Sequence, residues 1–343
     1  MNDIPTYADV LVAAERIAGP AVRTPLIHSP LLSERTGGRV FLKAETLQRT
    51  GSFKFRGAYN AVRALGAETA GGIVACSSGN HAQGVAEAAR LAGLPATIVM
   101  PSDAPAVKRA RTEASGARIV LYDRAGEDRD AVAAGVLAER GGAMVHPYND
   151  PRVIAGQGTA GLEIADDLEA GGAASDVVLT PCSGGGLTAG IALALTERFP
   201  GVAIYAVEPE GFDDYARSLA AGRPVRNERL AGSVCDALLS PEPGPIGFAI
   251  NRERLAGAVS VSDEEALRAV GFAYEALRLI VEPGGAVALA ALLQRRVDVA
   301  GRTVGIVLSG GNIGDEVLAE AVALHRASPS ARRAQPSATA GAA

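Results

Sequence analysis

Asp176–Gly190 reads DVVLTPCSGGGLTAG: a short apolar run, then Ser183-Gly184-Gly185-Gly186, then residues with helical character. Strand, glycine turn and helix in direct succession form the unit from which helix-covered parallel sheets are wound. Consecutive glycines let the backbone approach a bound group closely. The helix start behind them offers free N–H groups and the positive end of its dipole. A phosphate suits such a cup, and the alternative is a bare turn with no ligand. A Walker loop would close on Gly-Lys-Ser/Thr; no lysine stands here, which disfavours a nucleotide triphosphatase.

Outward from this stretch the same alternation repeats. Strand-like runs are expected at Val40–Lys43, Ile73–Cys76, Ala96–Met100, Arg118–Tyr122, Ala143–His146, Asp176–Thr180, Ala203–Val207 and Thr303–Leu308. Helical patterns lie between them at Ala82–Ala92, Val107–Ser115, Asp128–Arg140 and Leu187–Arg198. Continuous apolar strands alternating with helices predict an α/β fold with parallel sheets covered on both faces. The even spacing over 72–148 predicts a small inserted domain, with 1–71 and 149–326 forming a larger one around it. Asn149-Asp150-Pro151 marks a turn where the chain would cross back. Residues 327–343, rich in Ser, Pro, Ala and Arg without periodicity, are expected to be a disordered tail.

Two further loops end strands. Ser77-Ser78-Gly79-Asn80-His81 follows Ile73–Cys76, and Ser309-Gly310-Gly311-Asn312 follows Thr303–Leu308. The first gathers hydroxyls, an amide and helix-start N–H groups, which suits a carboxylate; a simple N-cap by Ser78 or Asn80 is the local alternative. In parallel sheets one cleft collects loops at strand carboxyl ends. Only three of the 33 basic residues are lysines, Lys43, Lys54 and Lys108, so a retained lysine stands out. Lys54, between Phe53 and Phe55, can do what arginine cannot, namely lose its proton near neutral pH and attack a carbonyl. Gly156-Gln157-Gly158-Thr159-Ala160-Gly161 fits a dinucleotide fingerprint by letter. It lacks the preceding strand and the later acid, which argues against a nicotinamide dehydrogenase.

Bulk properties exclude other classes. A net charge of −5 and the absence of a basic aromatic stripe argue against nucleic-acid binding. No run approaches the roughly 18 apolar residues needed to span a bilayer. The polar start Met1–Pro5 gives no reason to expect a secretory signal. Cys76, Cys182 and Cys235 lack metal spacing and suit a reducing cytoplasm, and the four histidines are scattered.

Taken together, Lys54, the Ser183–Gly186 cup, the Ser77–His81 loop, the late Ser309–Asn312 loop, Val153–Thr159 (VIAGQGT) and Glu282-Pro283 resemble one family closely, over roughly residues 10–325. It is the serine/threonine dehydratase and serine racemase group of fold-type II pyridoxal-phosphate enzymes, with a tryptophan-synthase-β-like fold. The resemblance implies that Lys54 carries pyridoxal 5'-phosphate as a Schiff base and then serves as the α-proton base. It implies that Phe53 lies against the cofactor ring and that Asn80 bonds its 3-hydroxyl. Ser183, Gly184, Gly185, Gly186 and Leu187 would cradle its phosphate, and Ser309 would face the pyridine nitrogen. The cofactor phosphate is implied as the acid for the departing hydroxide. Ser77, Ser78, Asn80 and His81 would bind the substrate carboxylate, with Asp236 lining the pocket. Ser78 also matches the racemases' proton donor on the face opposite Lys54. Glu208, the carbonyl of Phe212 and Asp214 resemble a cation site for Mg²⁺, with Ca²⁺ or Mn²⁺ as alternatives; an acidic loop capping the next helix is the competing reading. The implied activity is dehydration of a small β-hydroxy amino acid (L-serine, L-threonine or 3-hydroxyaspartate) to a 2-oxo acid and ammonia, in a cytoplasmic homodimer. A serine or aspartate racemase with dehydratase side activity is the alternative, and a catalytically silent ligand-binding protein a more distant one. Cys235 and Ala237 depart from the racemase pattern, which leaves the preferred substrate open.

Overall fold

The computed structural model describes residues 4–104, 106–123 and 126–328. The expected tail lies outside them beyond Ser328, and Ala327 closes the last helix. In chain order the strands are β1 (Leu26–His28), β2 (Arg39–Ala44), β3 (Ile73–Cys76), β4 (Ala96–Pro101), β5 (Arg118–Tyr122), β6 (Ala143–Met144), β7 (Val177–Pro181), β8 (Ala203–Pro209), β9 (Leu255–Val261) and β10 (Thr303–Leu308). The helices are α1 (Tyr7–Ile17), α2 (Pro30–Thr36), α3 (Lys54–Leu65), α4 (Asn80–Leu91), α5 (Ala106–Ala114), α6 (Arg129–Arg140), α7 (Pro151–Ala170), α8 (Gly186–Arg198), α9 (Asp214–Ala221), α10 (Pro245–Arg254), α11 (Asp263–Phe272), α12 (Pro283–Leu293) and α13 (Asp315–Ala327).

The strands form a six-stranded sheet, β1-β2-β10-β7-β8-β9, and a four-stranded sheet, β5-β4-β3-β6. All pairings are parallel except that of β1 with β2, which is antiparallel. The α/β expectation holds, with an antiparallel edge strand added to it.

Alternation along the strands puts successive side chains on opposite faces. Val177, Leu179, Val207, Ile306 and Leu308 pack against α12, which is apolar all round and buried. Val178, Ile204 and Val307 pack against α7 and α8 on the other face. In the four-stranded sheet, Ile73, Ala75, Ile98 and Met100 pack under α3 and α4, while Val74, Cys76 and Val99 pack under α6. Each fully buried Val, Leu or Ile contributes about 1.5–3 kcal/mol. Helix α3 therefore shares a core with the smaller sheet while it also contacts α7 of the larger layer.

The glycine run Gly156–Gly161 turns out to lie inside α7. A Cβ at Gly156 would stand 2.7 Å from Gly57 Cα, and one at Gly158 2.8 Å from the Gly190 carbonyl. These glycines let α3 and α8 press onto α7, so the run serves helix packing, as its missing strand context indicated. Asp150 is the N-cap of α7, accepting from the N–H groups of Arg152 and Val153, with Pro151 at the first helical position.

Candidate active site

Parallel pairing puts the carboxyl ends of β2, β7, β8 and β10 on one edge of the larger sheet. From β2 the chain turns through Thr50 and Gly51, both at positive φ, into Ser52 and Phe53. Ser52 forms an antiparallel bridge with Gly310, and the Phe53 N–H donates to the Ser309 carbonyl at 3.1 Å. Lys54 then opens α3, so its position is stitched to the loop that ends β10. Its Nζ donates to the Pro147 carbonyl at 2.8 Å and lies 5.2 Å from the centre of the Phe53 ring. Part of the Lys54 residue reaches solvent, but the amine sits in dry surroundings. Burial pushes its pKa down to about 8. A carbonyl partner carries no charge to hold the proton, so the amine can be neutral when chemistry requires it.

The helix that the serine loop opens meets the lysine's backbone. Gly84 of α4 presses on the Lys54 backbone, where a Cβ would stand 3.2 Å from its carbonyl carbon. Helix α4 has no side-chain cap, which leaves its first N–H groups to an external anion. Ser77 Oγ accepts from the Gly79 N–H at 3.1 Å. Asn80 is held at both ends: its Nδ2 donates to Glu282 Oε1 at 2.6 Å, and its Oδ1 accepts from Asn312 Nδ2 at 2.8 Å. The second hydrogen on Asn80 Nδ2 has a fixed direction as a result. His81 is buried, and its Nε2 pairs with the Val145 carbonyl at 2.9 Å. Burial first, then the charge of Lys54, push its pKa down to about 3. A neutral imidazole engaged in this way offers an anion its backbone N–H rather than a charge.

The glycine cup follows β7, and its glycines are required from behind. A Cβ at Gly184 would stand 2.3 Å from the Tyr148 ring, and one at Gly185, which has φ +87, 1.9 Å from the Tyr215 hydroxyl. Ser183 Oγ donates to Ser240 Oγ at 2.8 Å and accepts from the Ser240 N–H at 3.1 Å. Gly186 and the buried Leu187 open α8, which also has no side-chain cap. Tyr148 lies one residue beyond Pro147, the partner of the Lys54 amine, so lysine and cup meet across a single turn of chain. Ser309 ends β10 and is 5% exposed.

The acidic residues lie beside the cup. Both oxygens of the buried Glu208 accept from α9: Oε1 from the Tyr215 N–H at 2.8 Å and Oε2 from the Ala216 N–H at 2.9 Å. Asp214 Oδ1 accepts from Asn227 Nδ2 at 2.6 Å, while its Oδ2 is buried without a partner. Burial pushes the Asp214 pKa up to about 7 and, together with the neighbouring Asp214, pushes that of Glu208 well up. The helix-cap reading is thus true of Glu208, but it leaves Asp214 Oδ2 unexplained. The described residues hold no cluster of three or more metal-binding His, Cys, Asp or Glu side chains; two carboxylates with one backbone carbonyl fall below that number. Asp236 is exposed, on a single turn (Asp236–Leu238) whose Ala237 packs on Gly284.

Several residues around the site carried no sequence signal. Tyr148, Asn227 and Ser240 act through contacts with residues outside their own stretch of chain. Glu282 was visible only as part of a motif, and its bond to Asn80 spans 202 residues.

Residues 17–310 match the family described as pyridoxal-phosphate dependent enzyme. The chain is 41% identical over 311 residues to the L-threo-3-hydroxyaspartate ammonia-lyase of Saccharomyces cerevisiae, covering 90% of this chain and 94% of that protein. It is 42% identical to the L-threonine ammonia-lyase of Thermotoga maritima, covering 90% of this chain and 76% of that one. Among solved structures, maize serine racemase superposes with a TM-score of 0.87 at 35% identity, over 94% of this chain and 98% of the other. With the family model matched over most of its length and the Saccharomyces and maize relatives covered almost end to end, the chain belongs to the pyridoxal-phosphate dependent enzymes of fold-type II.

Proposed function

We propose that this protein is an ammonia-lyase that removes water from a small β-hydroxy amino acid, releasing a 2-oxo acid and ammonia. The single observation that carries this reading is the Lys54 amine, desolvated and hydrogen-bonded to a backbone carbonyl one residue from Tyr148, which backs the glycine cup. The residues fit pyridoxal phosphate: the cup's glycines are backed by Tyr148 and Tyr215, and the start of α8 has no side-chain cap. When bound, the coenzyme supplies the electron sink for the pair left by the departing α-proton. Lys54 takes that proton. Phe53 would lie against the coenzyme ring, and Asn80, oriented by Glu282 and Asn312, would hold its 3-hydroxyl. Ser309 would offer the ring nitrogen a hydroxyl, where a carboxylate would keep that nitrogen protonated. Ser77, Ser78 and the N–H groups of Asn80 and His81 receive the substrate carboxylate, and Asp236 lines the pocket wall.

The relatives act on 3-hydroxyaspartate and on threonine by name. A second carboxylate needs a cation, and Arg129 is our candidate. It is exposed at the start of α6, and its charge acts on the Tyr148 hydroxyl. Burial raises the Tyr148 pKa, while a hydrogen bond with Ser240 and the Arg129 charge oppose the rise. Arg129→Gln is expected to raise KM for L-threo-3-hydroxyaspartate by about 10-fold or more while changing that for L-threonine little. Equal effects on both substrates would remove Arg129 from the pocket.

Racemisation is the second reading, supported by Ser78 as a donor on the face opposite Lys54 and by the racemase relatives. Ser78→Ala is expected to lower D-serine formation from L-serine by ~10²-fold or more, with elimination retained. Surviving stereoinversion would refute the two-face assignment. A panel of L- and D-serine, L-threonine and both 3-hydroxyaspartate diastereomers, scored for 2-oxo acid and for inversion, tests the activity as a whole. Failure of every member to yield a 2-oxo acid would refute the lyase reading.

Glu208, the Phe212 carbonyl and Asp214 are proposed to hold Mg²⁺, with Ca²⁺ or Mn²⁺ as alternatives. The orphaned buried Asp214 Oδ2 supports this, since an unpaired carboxylate oxygen in the interior is costly. We also propose a small domain over 72–148 inserted in a large one. A homodimer is supported by Leu47 and Ile280, which are 52% and 49% exposed beside the Gly311 loop. A cytoplasmic location is supported by Cys76, Cys182 and Cys235, which are buried and joined in no disulfide among the described residues. Among the described residues no helix is long and apolar enough to cross a membrane.

A further inference from the structure

We propose that the Glu208/Asp214 pair and the glycine cup are energetically coupled, so that a divalent cation held at the pair tightens the cup's grip on a phosphate group. This rests on the cation reading above and adds to it a route and a consequence.

Two separate connections join the sites. In the first, Asn227 Nδ2 donates both to Asp214 Oδ1 at 2.6 Å and to the Ser240 carbonyl at 2.9 Å, and the Asn227 N–H donates to the Pro241 carbonyl at 2.8 Å. Ser240 in turn holds Ser183, the first residue of the cup, by its N–H and its hydroxyl. Only two residues, Asn227 and Ser240, separate the acid from the cup. In the second, Tyr215 directly follows Asp214, and its N–H donates to Glu208 Oε1. Its ring is fully buried, and its hydroxyl lies where a side chain on Gly185 would have to be. Asn251 Nδ2 fixes that hydroxyl at 3.0 Å and also donates to the Gly185 carbonyl at 3.2 Å.

Glu208 accepts from the N–H groups of Tyr215 and Ala216, and Asp214 stands in the same first turn of α9, so both acids bear on the start of that helix. A cation held by Asp214, whose buried Oδ2 has no partner, and by Glu208 would draw that turn together. Tyr215 and Asn227 are bound to those same carboxylates, so their positions follow. The Ser183 and Gly185 backbone, whose N–H directions determine phosphate affinity, would settle with them. Such coupling is reciprocal: phosphate in the cup must tighten the cation by the same factor.

The test uses the apoprotein and binding alone. Isothermal calorimetry first establishes whether MgCl₂ binds to wild type and whether Asp214→Asn abolishes that binding. Pyridoxal 5'-phosphate is then titrated with saturating MgCl₂ or with EDTA, alongside pyridoxal, which lacks the phosphate. The expected result is a tightening of pyridoxal 5'-phosphate by about 5-fold or more with Mg²⁺ and no change for pyridoxal, with the difference shrinking in Asn227→Ala and in Tyr215→Phe. Tyr215→Phe removes one oxygen and serves if the asparagine variant folds poorly. Mg²⁺ binding with unchanged coenzyme affinity, or with equal tightening of pyridoxal, overturns the coupling while leaving the cation reading standing. Absence of Mg²⁺ binding overturns both.

Discussion

Lys54→Ala is expected to lose turnover of every β-hydroxy amino acid by at least ~10⁴-fold while keeping its fold, because it removes both the attachment point and the proton acceptor. The structure gives the amine no other function. It pairs with one backbone carbonyl, in contrast to Lys43, whose buried amine is locked to Glu163 at 2.6 Å and to the Thr24 carbonyl at 2.7 Å. Far-ultraviolet circular dichroism of the variant should match wild type, and steady-state assays should find no residual 2-oxo acid. Lys54→Arg should be as inactive, since a guanidinium keeps its proton. The pH dependence follows from the lowered pKa. The neutral fraction of the amine rises through about 8, so recombination of apoprotein with the coenzyme should accelerate from pH 7 to about 9 and then level off. An ordinary lysine, near 10.5, would keep accelerating well beyond that range.

Arg56→Met is expected to destabilise the protein by about 3–5 kcal/mol, the cost of breaking a buried ion pair from one side. Arg56 is fully buried; its Nε and Nη2 reach the Glu45 carboxylate, both at 2.8 Å, and its Nη1 reaches Glu163 at 2.7 Å. Burial works to raise the Glu45 pKa, and Arg56 overcomes it and holds the carboxylate ionised. Without the guanidinium, a fully buried carboxylate would face Lys43 and Thr24 alone. The midpoint of urea unfolding should fall accordingly. Because Arg56 stands two residues from Lys54 on α3, coenzyme affinity should weaken as well. The double variant Glu45→Leu/Arg56→Met should recover part of the loss, since neither charge is then stranded. Additive losses would show that the pair contributes packing rather than mutual neutralisation.

The parts of this architecture that were legible in the sequence are those with local causes. Ile73–Cys76, Arg118–Tyr122 and Thr303–Leu308 are dense apolar or β-branched runs, and each forms a strand with those bounds. Ala143–His146 is shorter than expected, ending at Met144, because His146 Nδ1 accepts from the N–H groups of Tyr148 and Asn149 and turns the chain. Strand β9, with small residues in LAGAVSV and a half-buried edge position, has no apolar run to announce it. Strand β1 is only three residues long. The three loops were legible because glycine and serine at strand ends have few other uses. What stayed hidden depends on distance along the chain: Arg56 meets Glu163 across 107 residues, and Asn312 meets Asn80 across 232. The three lysines marked out Lys54 but not Lys43, whose burial depends on α7 arriving much later in the chain.

The most direct test of the account is to reduce the purified holoenzyme with borohydride, digest it and map the pyridoxyl group by mass spectrometry. We expect the modification on the peptide containing Lys54, at one group per chain, with the visible absorption band lost in parallel. Modification at Lys43 or Lys108, or none on any lysine, would contradict it.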